Sequence, residues 1–149
     1  MKRSSVVLTA ALLAGGAGAV LSTSGSAQQP ALRTLTFTER GAREFATRFS
    51  EKRLSPDDSF VFTARLVDGA NQPAGREQGA CSAISRNATE CQATLFLKAG
   101  KIFISGGTTF GAKTTLGVVG GTGTYIGVRG TMTATDRKSG DQLVVTLLP

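Results

Sequence analysis

No histidine occurs anywhere in the 149-residue chain. The Ser-His-Asp and Cys-His constellations that activate a nucleophile at neutral pH are therefore excluded. Cys81 and Cys91 cannot build a zinc cage between them, since a structural site needs four protein ligands. The expectation is no metal and no other cofactor. An even cysteine pair with the turn-forming Arg86-Asn87 near its middle reads as one disulfide across a hairpin. The stretch Gly117–Met132 has six glycines in sixteen residues and invites a phosphate-loop reading. Its Gly121, Gly123 and Gly127 give GxGxxxG, not GxGxxG, and no helix-period pattern follows to present N–H groups to an anion. It reads instead as strand, glycine turn, strand. Within it, Tyr125 offers a phenol to a ligand or packs over its own glycines. Glu39 and Arg40 line a barrel mouth, or form a solvated ion pair worth little.

The elements that must position these residues are strands. Leu35 and Phe37 alternate with Thr34, Thr36 and Thr38 over 32–39. Further strand patterns run over 59–68, 74–85, 89–98, 101–109, 114–121, 125–136 and 142–148. In the third of these eight, polar residues surround Cys81; in the fourth, Cys91, Ala93, Leu95 and Leu97 share one face. Turn residues such as Asp68-Gly69, Ala99-Gly100 and 137–140 separate them. Short strands at this spacing mark an all-β sandwich or barrel. Eight antiparallel strands close naturally into a barrel with no free edge and room for one small ligand. The stretch 41–53 differs: Ala42, Phe45, Ala46 and Phe49 fall at helical spacing. The expectation there is a short helical turn or loop that packs Phe45 and Phe49 on the barrel.

The N-terminus reads as a targeting segment. Lys2-Arg3 precedes an apolar run from Val6 to Leu21 and a small-residue site at Gly25-Ser26-Ala27, the pattern of a secretory signal peptide spanning 1–27. The run is too short for a comfortable membrane span, which takes about 20 residues, so no integral segment is expected after processing. Lys2-Arg3 is not a twin-arginine pair, which favours the general secretory route of a bacterial, secreted protein. The mature chain, 28–149, is then one barrel domain. It keeps 15 basic and 10 acidic residues. With no Lys/Arg run, no tryptophan and one tyrosine, nucleic acid is not an expected partner.

The order of segments resembles the allene oxide cyclase and dirigent barrels. The matching stretches are Thr38-Glu-Arg40, 57–63, 75–81, 100–106 and, the most specific, Val119-Gly-Gly-Thr-Gly-Thr-Tyr-Ile-Gly-Val-Arg-Gly130. That last stretch is similar to the family's GGTG hairpin. The resemblance implies a closed eight-stranded antiparallel barrel, and the signal peptide is similar to that of bacterial secreted members. In plant cyclases a glutamate and an asparagine of the first strand act on the substrate; the matching positions are Thr36 and Thr38, which carry no carboxylate for acid–base work. Of the arginine and aspartate that shape a dirigent pocket, the arginine matches Arg129 and the aspartate position holds Thr124. Cys81 matches a cysteine near the cyclase cavity.

The functional expectation is a secreted barrel that holds a small hydrophobic molecule and guides its cyclisation or coupling. Arg129, Tyr125, Glu39, Thr36 and Thr38 are the pocket candidates. The alternative is a non-catalytic ligand-binding or structural barrel of the cell envelope. Self-association into a homo-oligomer is left open.

Overall fold

The computed structural model describes residues 32–47, 54–56, 58–109, 111 and 113–148. The signal-peptide reading, residues 48–53 and the exact start of the mature chain lie outside the described residues. Eight strands follow in order: β1 (Arg33–Thr47), β2 (Ser59–Val67), β3 (Pro73–Ala83), β4 (Ala88–Leu97), β5 (Gly100–Thr109), β6 (Lys113–Gly121), β7 (Arg129–Thr135) and β8 (Gln142–Leu148). Each pairs antiparallel with its sequence neighbours, and β1 pairs with β8 to close the barrel. The expected fold is therefore the observed one. Among the described residues no helix is long and apolar enough to cross a membrane.

Period-two alternation builds the core. In β8, Leu143, Val145 and Leu147 point inward while Val144 and Thr146 are only half-buried. Leu95 and Ile102 sit opposite each other on β4 and β5, and both are fully buried. Each such side chain contributes about 1.5–3 kcal/mol through burial. The antiparallel order gives the barrel two ends. The β3–β4 and β7–β8 turns lie at what we call the upper end; the β2–β3 turn, Ala99-Gly100 and the glycine hairpin lie at the lower end.

Two elements differ from expectation. β1 does not give way to a helical turn at Gly41; it runs on to Thr47. Between Arg40 and Arg43 it carries a bulge, where three steps on β1 match two on β2. One extra residue flips the alternation. Phe37 and Glu39 face in before the bulge, Ala42 and Glu44 after it, and Phe45 is left 60% exposed. Ala42 and Phe45, at helical spacing in the sequence, thus lie on opposite faces of the strand. The second difference is at the glycine hairpin. Gly123–Tyr125 forms one 3-10 turn and β7 begins only at Arg129. Gly123 has φ +63°, and a Cβ there would strike the Ala99 carbonyl, so the GGTG stretch needs glycine for both conformation and close approach.

Candidate functional site

The lower half of the barrel is filled. Leu66, Leu95, Ile102, Val118 and Leu147 occupy it, and Tyr125 closes it from below, 4% exposed. The upper half is hollow. A cavity of about 200 Å³ lies there, lined by residues from all eight strands. An engineered cavity of about 150 Å³ is enough to hold benzene, so a small organic molecule fits. Phe60 and Phe62 form one wall, Ala93, Leu116, Met132 and Leu143 another. Thr108, Thr109, Gly111 and Asp141 stand at the strand ends around the mouth.

Cys81 and Cys91 face each other across β3 and β4 and are joined, Cα to Cα 4.1 Å. The cystine is buried and forms part of the cavity wall. Thr89 places its hydroxyl 3.6 Å from the Cys91 sulfur.

The polar content of the cavity is acidic. Glu39, Glu44, Glu77 and Asp141 line it, and no lysine or arginine does among the described residues. Glu39 is on β1 and Glu77 on β3, with β2 between them. On β2 Glu39 pairs with Leu66 and Glu77 with the small, buried Ala64. The alanine leaves room beside Glu77, and the two carboxyls hydrogen-bond to each other on the inner face. Glu77 is 2% exposed, and its Oε2 has no hydrogen-bond partner. A carboxylate in that position would be costly to ionise without a cation beside it. Burial, then its bond to Glu39, then the charge of Glu39 hold Glu77 well above the usual carboxylate range. Burial also raises Glu39, with the Glu77 bond pulling it back down. The pair therefore shares a proton, with Glu77 the acid and Glu39 the acceptor. Asp141, whose carbonyl accepts from the Glu39 N–H at 2.8 Å, is raised by burial and by Asp136.

Of the five pocket candidates read from sequence, Glu39 alone lines this cavity, together with Cys81 and Cys91. Thr36 and Thr38 fall on the opposite parity from Phe37 and Glu39, on the outer face; Thr36 is exposed. Arg129 is exposed at the start of β7, donating to the Val128 carbonyl at 2.8 Å. Tyr125 lies at the floor, with the Arg33 guanidinium 5.4 Å from its ring centroid. A polar cluster of Arg129, Glu39 and Tyr125 does not form, because the first lies outside the wall and the other two belong to opposite ends. Arg40 points outward and donates to the Ser139 carbonyl, so it makes no ion pair with Glu39. Sequence reasoning missed Glu77. Arg76-Glu77-Gln78 looks like a solvated strand, but Glu77 shares the parity of Cys81 and Ala83, and that was the available signal.

No family model and no curated protein matches the sequence. Solved structures do match the fold. A pyocyanin demethylase superposes with TM-score 0.64 at 26% identity, over 78% of this chain and 99% of that one. The exo-specific intermolecular Diels-Alderase AbnU gives TM-score 0.63 at 16% identity, over 78% and 98%. A pterocarpan synthase dirigent protein gives 0.59 at 19%, over 80% and 95%. The chain thus shares the barrel fold of the dirigent proteins, as the resemblance implied, and that of cycloaddition cyclases.

Proposed function

We propose that the protein is exported and holds a small apolar molecule in the upper half of its barrel, where the Glu39–Glu77 pair moves a proton as that molecule cyclises or couples. The observation that carries this reading is a carboxyl pair, with no lysine or arginine beside it among the described residues, on the wall of a cavity whose remaining lining is apolar and threonine side chains with Glu44 and Asp141. Such a pair suits protonation of an uncharged substrate. Glu77 gives its proton to a substrate carbon or oxygen, the cation so formed faces the Glu39 carboxylate, the new bond forms, and a proton returns to Glu77. The proton lent is the proton returned, so the net change is an isomerisation when one molecule cyclises and a redox-neutral addition when two couple. The cavity walls hold the reacting atoms together and keep water out. Neighbours whose names describe a Diels-Alderase, a cyclase that binds heme, and a pterocarpan synthase support a barrel that shapes small organic molecules.

The test is native mass spectrometry of the protein recovered from its own host. The expected result is a reproducible added mass in wild type and in Glu77→Gln, absent in Ala93→Phe, whose ring fills the cavity. A clean unliganded mass in all three would overturn the reading.

A further inference from the structure

We propose that the outer wall of β1–β5 is a docking track for an acidic polysaccharide. The register places Arg40, Arg65, Arg76, Phe96 and Lys101 in one continuous row across five strands. Arg65 thus has an arginine directly opposite on both sides. Like charges in that position destabilise a sheet. Among the described residues no ion pair relieves them: the carboxylates of β1 and β3, Glu39, Glu44 and Glu77, all turn to the cavity side. Among the described residues the one outward carboxylate on these strands is Glu90, six residues from Phe96 at the far end of β4, about 20 Å away at the rise of a strand.

The row is also built to stay open. At the bulge, Gly41 has φ +61°, and a Cβ there would come within 3.3 Å of the Arg65 guanidinium, so glycine leaves room for that group to lie along the wall. The Arg76 guanidinium stands 4.3 Å and the Lys101 ammonium 5.2 Å from the Phe96 ring centroid. These contacts hold both cations in place without neutralising them.

The shape selects the partner. The row covers four of the eight strand-to-strand steps around a closed barrel, so its two ends face opposite sides. A flat membrane touches only part of it; a flexible chain follows the curve. Arg40, Arg65 and Arg76 recur at the strand spacing of about 4.8 Å, close to the length of one pyranose residue, and Lys101 follows two strands on. Guanidinium forks match carboxylates in geometry.

Binding of the full chain should be measured to polygalacturonate, to neutral dextran, to an oligothymidylate and to phosphatidylglycerol vesicles. The expected result is binding to polygalacturonate that salt weakens, none to dextran, and weaker binding to the other two. Arg65→Gln with Arg76→Gln should lower polygalacturonate affinity at least tenfold; Arg129→Gln with Lys113→Gln, two exposed cations off the row, should change it less than twofold. Arg65→Gln alone should raise the melting temperature by a few degrees, because it removes the repulsion. Equal losses from the two double variants, preference for vesicles or oligothymidylate, or a lower melting temperature in Arg65→Gln would each overturn the proposal.

Discussion

At the scale of single residues the molecule turns on Glu77. Its proton is held by burial and by Glu39, so the folded state keeps a proton that the unfolded state loses above the ordinary value of 4.5. The stability this contributes is complete below that value and is lost as pH rises through the raised one. Wild type is expected to lose thermal stability across that window while Glu77→Gln, which stays neutral, shows a flatter profile; parallel pH profiles of melting temperature would contradict this. The cystine makes a second residue-scale prediction. Opening a ten-residue separation by the Cys81→Ser, Cys91→Ser double variant should cost about 2–3 kcal/mol, read by urea denaturation in non-reducing buffer. Glu39 and the cysteine pair were legible in sequence, the first as a residue at a strand end and the second from its spacing. Glu77 was not, because one strand reveals the parity of its residues but not which neighbour lies across a barrel. The room beside Glu77 comes from Ala64, a residue with no chemistry of its own.

At the scale of elements, alternation and turn residues were enough to mark all eight strands, most within a residue or two of their ends. The stretch after Gly41 was not readable, since the bulge between Arg40 and Arg43 shifts parity and Phe45 is left exposed on the outer face, where an apolar residue suggests a buried one. The bulge is functional in the geometric sense: it turns Ala42 and Glu44 into the cavity mouth and Arg43 and Phe45 outward. The glycine hairpin shows the opposite case, where the turn was expected and its internal geometry was not. Gly123→Ala should destabilise the barrel by about 1–2 kcal/mol from left-handed backbone strain alone, with more from the Ala99 carbonyl, whereas Gly127→Ala meets no atom within 4 Å and should bear the strain without the collision. Chemical denaturation of the two variants separates these terms; equal losses would show that close approach at Gly123 contributes nothing.

At the scale of the whole molecule, closure of the sheet sorts charge. Among the described residues the carboxylates of β1 and β3 turn to the inner side, where they meet no cation, and Arg40, Arg43, Arg65 and Arg76 turn outward, where they meet no carboxylate; Arg33, on the inward parity, stands over Tyr125 at the floor. Net charge and composition give only the modest basic excess; the segregation appears when pairing register is known. The same closure explains why Thr36, Thr38 and Arg129 do not share a pocket with Glu39: the wall of the barrel lies between them. The interior is thus half packed and half hollow, with its acid pair on the hollow side. The most direct test is a carboxyl-resolved NMR titration of protein labelled with carbon-13 at the glutamate side chains, alone and with the molecule recovered from the host-derived protein. One carboxyl signal, missing in Glu77→Gln, should stay protonated well above the ordinary glutamate range and move when that molecule is added. Glutamates that all titrate near 4.5, or a Glu77 signal indifferent to the added molecule, would contradict a proton-bearing pair at the binding cavity.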